Sequence, residues 1–374
     1  MNTLTAEELE EYKHRIPLTR AYKDDLPALP YRRREKEFKP NLHWGQRKLL
    51  LGEIEFLVAH GDKAQTVVYA GAAEGTHIEY LSTLFPTHKF ILYDPRKFTI
   101  EPSNQIEIHT GTTDGFFTDN VARTFTNQKI LFISDIRTGS VNPDDPDDDE
   151  FANEVVANMD MQRKWLEIMH PAMSMFKFRL PYTAGQTEYF DGTLLFQVWA
   201  PRTSTEGRLV CGPNPPLRIY DHTTYESIFY RFNTITRTQW HDHSINTNVA
   251  EGIDHCYDCA AEISILLEYL KYASTRADIY EGNKYVTILQ NISEDTITNM
   301  TAPAQITIIQ MSRAISRELS SERILFDPPH GLDPEVVFDE KCEQLAKIYG
   351  TAYEKRYAKK RAAINRQKKG RKSQ

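Results

Sequence analysis

Short apolar runs alternate with amphipathic stretches along most of the chain. TVVYA (66–70), KFILY (89–93), IEIHT (106–110) and KILFIS (129–134) are each bounded by turn residues. Such near-continuous apolar runs fit strands covered on both faces. Between them lie WGQRKLLLGEIEFLVAH (44–60), with Leu49, Leu50, Ile54, Phe56 and Leu57 at roughly helical spacing, THIEYLSTLF (76–85) and an amphipathic stretch near 114–126. Strands separated by helices predict parallel βαβ units. A helix near 151–169 follows, then strands in AMSMFKFRL (172–180), GTLLFQVWA (192–200) and EGRLVCG (206–212). TTYESIFYRF (223–232) and CYDCAAEISILLEYLKYA (256–273) read as helices, and 275–345 as mixed helix and loop. The acidic run PDDPDDDE (143–150) predicts a solvated loop, because adjacent carboxylates repel one another. No internal repeat is visible. The pattern gives one α/β domain over 41–345, an N-terminal arm (1–40) and a C-terminal tail (346–374) expected to be disordered.

Composition sharpens this picture at the tail. The chain has 374 residues, with 45 Lys+Arg against 52 Asp+Glu. Ten of the basic residues fall between Lys355 and Lys372, where there is no acidic one, so the other 35 face all 52 acids, a balance of −17. A basic tail on an acidic body suits nucleic acid, although a solubilising tail reads the same way. Hydrophobic content of 40% and 26% charged residues are ordinary for a globular chain. No apolar stretch is long enough to span a membrane and the polar N-terminus lacks a secretory signal, so no membrane partner is expected. Four cysteines do not make a disulfide scaffold, which points to a reducing, intracellular compartment.

Two patterns carry chemistry. In VVYAGAAEGTH (67–77), a strand turns through Gly71-x-x-x-Gly75 into a helix, and ILYDPR (91–96) places Asp94 at the end of the next strand. Glycine lets a backbone approach a ligand, and an acid about twenty residues on is where doubly wound folds hold ribose hydroxyls. The spacing is neither G-x-G-x-x-G nor G-x-x-x-x-G-K-[ST]; it suits S-adenosylmethionine (AdoMet) better than NAD or ATP. A tight strand–helix turn would explain the glycines equally. The second pattern is a set of charges beside or inside apolar runs: Lys48 in RKLLL, Asp135 after KILFIS, Lys177 within SMFKFRL and Glu206 before GRLVC. Such charges are costly unless paired. Two structural ion pairs, or a proton-transfer site, satisfy that requirement.

The segments GQRKLLLGEIEFL (45–57), VVYAGAAEGTHIEYL (67–81), LYDPR (92–96) and ILFISDIR (130–137) resemble the poxvirus cap-specific mRNA (nucleoside-2′-O-)methyltransferases, which also serve as poly(A) polymerase regulatory subunits. The resemblance is dense over about 42–137 and recurs near 175–182, 200–209 and 219–233. It implies a Rossmann-like AdoMet-dependent methyltransferase fold, with a mostly parallel central sheet and helices on both faces. It implies AdoMet contacts by Gln46, Tyr69, Gly71, Gly75, His77, Asp94, Arg96 and Asp135. Packing or helix capping would otherwise explain Tyr69 and His77, and Arg96 reads as a surface residue. Lys48, Asp135, Lys177 and Glu206 match the tetrad of ribose 2′-O-methyltransferases, with Lys177 as the base that deprotonates the 2′-OH of the cap-adjacent nucleotide.

A cap methyltransferase must hold 7-methylguanine, a cationic base that favours aromatic faces. By the same resemblance Tyr31 and Tyr182 form the stacking pair and Glu226 accepts the edge N–H groups. Two departures stand out. Ala72-Ala73-Glu74 replaces the family's Ser-Ala-Pro, and Thr183-Ala184 follows Tyr182 where a second carboxylate is expected, a part Glu188 could take. The basic residues of YRRR (31–34), with Lys36, Arg179 and Arg208, are candidates for steering phosphates. The implied partners are capped mRNA and a poly(A) polymerase catalytic subunit, in host cytoplasm and the virion. A cap-independent RNA ribose methyltransferase, or a non-enzymatic processivity partner of a polymerase, are the other readings. His241, His243, Cys256 and Cys259 also have spacing compatible with zinc, to which the resemblance lends no support, so no metal is expected.

Overall fold

The computed structural model describes residues 20–32, 44–138, 148–201, 204–238, 257–276, 279–280 and 302–319. Helix α1 (Trp44–His60) leads into β1 (Thr66–Ala70), α2 (Thr76–Leu84), β2 (Lys89–Asp94) and β3 (Ile106–Thr110). The amphipathic stretch beyond divides into two short helices, α3 (Gly111–Asp114) and α4 (Asp119–Thr124), ahead of β4 (Ile130–Ser134). Then come α5 (Asp148–Met169), β5 (Met173–Phe178), β6 (Gln186–Phe190), β7 (Thr193–Phe196), β8 (Gly207–Cys211), β9 (Leu217–Asp221) and α6 (His222–Thr234). Helices α7 (Tyr257–Ser274) and α8 (Ala302–Leu319) complete the described elements.

The main sheet runs β3-β2-β1-β4-β5-β8-β7. Its first five strands are parallel and β8 is antiparallel to both neighbours. The order 3-2-1-4-5 is that of a doubly wound, Rossmann-like sheet, whose switch point between β1 and β4 leaves a crevice at their C-terminal ends. Cross-strand register shows the two covered faces. Val68 pairs with Phe132 and Tyr69 with Ile133, so Tyr69 and Phe132 point to opposite sides. The Tyr69 hydroxyl donates to Glu53 of α1, whereas the Phe132 ring meets Trp165 of α5. Helices α1, α2, α7 and α8 pack together on the first side, and α4 with α5 on the second.

Three elements depart from the sequence pattern. Asp148, Asp149 and Glu150 form the first turn of α5 rather than a loop, a position where carboxylates favour the helix dipole. The antiparallel ribbon β6–β9 was not legible, because QTEYF and LRIYD mix polar and apolar positions. Residues 20–22 are not a loose arm but extend the sheet past β7: Tyr22 N–H donates to Leu194 O at 2.7 Å and Phe196 N–H to Arg20 O at 2.9 Å. The Tyr22 ring is buried among Phe196, Tyr225 and Phe229.

The C-terminal helices join the domain through buried charge. Arg47 of α1 donates from Nε to Glu262 of α7 at 2.8 Å and from its terminal nitrogen to Ser312 of α8 at 3.1 Å. Glu262 also accepts from Trp199 Nε1 at 2.8 Å and from the Ser312 hydroxyl at 2.8 Å. Arg47 and Glu262 are each 2% exposed. Buried charges persist only when fully partnered, so this network ties α7 and α8 to α1.

Candidate functional site

The crevice edge is built from the turn after β1. Gly71 takes φ +82, and a Cβ there would lie 2.8 Å from the backbone carbon of Asp135. Only glycine allows the ends of β1 and β4 to approach so closely, with Asp135 N–H donating to Ala70 O at 2.9 Å. Gly75, at φ +72, is the N-cap of α2 and supplies no side-chain cap, which leaves first-turn N–H groups open to an anionic group. Asp94, 3% exposed, accepts from Arg96 N–H at 2.8 Å, from the Arg96 guanidinium at 2.9 and 3.1 Å, and from Ala73 N–H at 3.1 Å. A carboxylate has about four lone-pair sites, so these contacts fill it. The Arg96 side chain is 66% exposed and is the partner able to yield to a ligand hydroxyl.

Gln46, Tyr69 and His77 lie behind this edge as a network. His77 Nδ1 faces Gln46 Oε1 at 2.7 Å, His77 Nε2 faces Glu53 Oε1 at 3.0 Å, and Tyr69 donates to the same Glu53 oxygen at 2.8 Å. The Tyr69, His77 and Glu53 side chains are fully buried, so Tyr69 and His77 shape the floor from beneath rather than present their side chains to the crevice. Burial, then the Glu53 charge, push the Tyr69 hydroxyl pKa well up. Glu53, the acid that organises the three, looks in sequence like any polar position on α1.

Lys48, Asp135, Lys177 and Glu206 converge from α1, the end of β4, β5 and the entry to β8. Strand alternation sends Lys177 to the α1 side of the sheet, away from Phe176 and Phe178. Its amine lies 3.4 Å from Asp135 and 3.5 Å from Glu206, too far for strong hydrogen bonds. Lys48 is held tightly, 2.6 Å from Glu206 Oε1. The register pairs Lys177 with Arg208, placing a fifth charge on the same face. Arg208 donates to Asp135 Oδ1 at 2.7 Å and reaches Glu206 at 3.6 Å. At 5% exposure it is part of this cluster and not a surface group for steering phosphates. Gln197 completes the set, donating to Glu206 Oε1 at 3.0 Å.

The charges settle as the geometry dictates. Burial pushes both carboxyls up, but Arg208 and Lys177 hold Asp135 below its usual range, and Lys177, Lys48 and Arg208 hold Glu206 well below it. Burial lowers Lys48, against the opposing pull of Glu206. Three basic and two acidic side chains share the cluster, so loss of one proton from an amine balances it.

Beyond β5 the chain forms an aromatic slot. The rings of Tyr31 and Tyr182 stack with centroids 5.4 Å apart and planes 29° apart. Tyr31 also meets Tyr230 edge-on at 5.2 Å, and Tyr182 stacks on Phe151 at 5.5 Å. Arg179 lies over the Phe151 and Tyr182 rings at 4.3 and 4.4 Å and donates to the Tyr182 hydroxyl; burial brings its pKa down to about 10. It is therefore an aromatic partner rather than a free phosphate ligand. Glu226 of α6 is half-buried, and burial lifts its carboxyl to about 7 against the pull of Arg179. Glu188 is exposed on β6, paired with Ile219 of β9.

Among the described residues no group of three or more His, Cys, Asp or Glu is arranged for a metal, and no helix is long and apolar enough to cross a membrane. His241, His243 and Cys256 fall outside the described residues, as do the basic tail and residues 33–36; Cys259 is buried in α7.

The cap-specific mRNA (nucleoside-2′-O-)-methyltransferases of Myxoma virus strains Lausanne and Uriarra are each 30% identical over 218 residues. Those alignments cover 53% of this chain and 62% of each relative's length, so the chain spans less than two thirds of either. Among solved structures, bluetongue virus VP4, described as a multifunctional RNA-capping production-line, gives a TM-score of 0.40 at 14% identity over 57% of this chain and 37% of that one, too distant to carry an argument. The family model described as "Poly A polymerase regulatory subunit" matches residues 21–301, well over half of the sequence. The chain belongs to the poly(A) polymerase regulatory subunit family.

Proposed function

We propose that this chain is an AdoMet-dependent cap ribose 2′-O-methyltransferase. The observation that carries the reading is the convergence of Lys48, Asp135, Lys177 and Glu206 on one face at the sheet's C-terminal edge. The cap-specific activity in the names of the Myxoma virus relatives supports it. AdoMet would be held by the Gly71–Gly75 turn, Asp94 and Arg96, and supplies the methyl group transferred to the ribose oxygen.

The protein's own task is to position a hydroxyl and remove its proton. Lys177 is the base. Its amine is the least committed of the basic groups in the cluster: among the described residues its nearest carboxylate oxygen is 3.4 Å away. Asp135 and Glu206 flank the amine and aim it at the crevice, while Lys48 and Arg208 offset their charge. Proton transfer from the 2′-OH to neutral Lys177 Nζ leaves an ammonium between two carboxylates. Tyr31 and Tyr182 sandwich the methylated guanine, and Glu226 in its ionised form accepts the edge N–H groups. Two van der Waals layers need about 7 Å, so the 5.4 Å stack must open by about 2 Å to admit the base.

The test is methyl transfer from labelled AdoMet to matched RNAs with an m7G cap, an unmethylated G cap or a 5′-triphosphate. Label on the first transcribed ribose of the m7G-capped RNA alone is the expected result. Equal transfer to all three favours a cap-independent ribose methyltransferase, and none removes the enzymatic reading. The family's description favours a second role beside the first, as partner of a poly(A) polymerase catalytic subunit in the cytoplasm. Co-elution with that subunit and longer poly(A) products would support it.

A further inference from the structure

Helix α6 carries a stripe of residues one turn apart: His222, Glu226 and Tyr230. The last two belong to the aromatic slot, and His222 is not explained by it. The side chain is 7% exposed and bonds to Thr183, directly after Tyr182, and to Thr187 at the start of β6. Nδ1 is 2.7 Å from Thr183 O, which only accepts, so this nitrogen carries the proton. Nε2 then accepts from the Thr187 hydroxyl at 2.7 Å. The His222 backbone N–H donates to Gly185 O at 3.0 Å. Gly185 takes φ +155, and a Cβ there would stand 3.6 Å from the imidazole.

One side chain thus grips the Tyr182 loop at both ends. It does so from the helix that bears Glu226, and Ser227 O of that helix anchors the irregular segment leading to Tyr31 through Leu29 N–H at 3.0 Å. A fold-stabilising staple would need no particular target. His222 joins the Tyr182 loop to the Glu226 helix, and Ser227 of the same helix joins the Tyr31 segment to it. We propose that His222 is a positioning residue for cap readout, setting the Tyr182 ring at the height of the Glu226 carboxylate so that a methylated guanine meets both at once. The proposal rests on the cap reading above.

Imidazole suits the task because it donates to a carbonyl and accepts from a hydroxyl on opposite edges of a rigid ring, which neither Asn nor Leu reproduces in full. The test compares dissociation constants for short RNAs bearing m7G or unmethylated G caps. His222→Ala should reduce the m7G preference about tenfold, the effect of roughly 1.4 kcal/mol of lost positioning contacts, with AdoMet affinity held within twofold. His222→Asn, which keeps a donor for Thr183 O, should recover part of the preference, and Thr187→Val, which removes only the hydroxyl, should lose part. If His222→Ala does not fold, Thr187→Val carries the test. A wild-type protein that does not distinguish the two caps overturns the cap reading and this inference with it. A discriminating wild type whose variants discriminate equally well overturns the role of His222 alone.

Discussion

The charged cluster and the aromatic slot both hang from the end of β5, yet they are held by opposite means. Lys48, Asp135, Lys177, Glu206 and Arg208 sit on or beside regular elements, and four of the five are locked by ion pairs of 2.6–2.7 Å. Each charge is there only because another offsets it, so the group has one arrangement. The slot is borne by a loop, a helix and an extended segment, and its rings touch face to face with no gap for a base. Aromatic contacts have broad energy wells, and a pair is worth about 0.5–1.5 kcal/mol beyond burial. The cluster is held in place by its charges, whereas the slot is closed upon itself and, on the function proposed, must open for a ligand. Damage to the first should act on rate and folding, and damage to the second on recognition.

The largest expected effect tests the cluster. Lys177→Met keeps the stem and removes the amine, and single-turnover methylation should fall about 10²–10⁴-fold while AdoMet and capped-RNA affinities stay within a few-fold. A folded variant with a near-normal rate would transfer the base to Lys48, whose own pKa is lowered by burial. Arg208→Met strips Asp135 of its 2.7 Å partner and should destabilise the fold by about 3–5 kcal/mol, read as a lowered denaturation midpoint. If stability is untouched, the cluster is not held together by its charges and the contrast with the slot weakens.

Smaller effects probe the binding surfaces. Asp94→Ala should weaken AdoMet binding by about 1.5–3 kcal/mol by calorimetry, through lost charged hydrogen bonds and a released Arg96. An unchanged affinity would remove Asp94 from the site. Tyr182→Ala should cost about 1–3 kcal/mol of m7G-cap affinity with AdoMet affinity intact. Equal discrimination by the variant would make Tyr182 a packing residue. The mildest effect is on pH. Glu226 stands at about 7 because it is half-buried, and only the ionised form offers both oxygens as strong acceptors to the edge N–H groups. About one tenth is ionised at pH 6 and nine tenths at pH 8, so cap affinity should rise by up to about tenfold across that interval. Glu226→Gln should flatten the profile; an identical slope in the variant would assign the titration to another group.

How much of this was legible in the sequence depends on how local the cause is. Strands β1, β2 and β4 stand out because burial on both faces demands unbroken apolar runs, and Lys177 stands out because it interrupts one. Arg208 was visible as a residue but not as a member of the cluster: its neighbour Lys177 is set by antiparallel register, which a single strand does not encode. Glu53 stayed hidden for the same reason, since only the fold brings it to Tyr69 and His77. The pairing of Tyr31 with Tyr182 came from family likeness, and the addition of residues 20–22 to the sheet edge had no local signal at all. Backbone hydrogen bonds made by irregular segments leave no trace in hydrophobic period.

The Arg47–Glu262–Ser312 network has a practical consequence for anyone cutting the protein down. The glycine turn and the cluster all lie before residue 212, which invites an expression fragment ending soon after α6. Such a fragment would delete Glu262 and Ser312, two partners of the Arg47 guanidinium, and uncover the face of α1 one residue before Lys48. The first helix, which carries Lys48 to Glu206, would lose its packing against α7 and α8. A fragment that keeps both of these partners of Arg47 extends through Leu319 of α8.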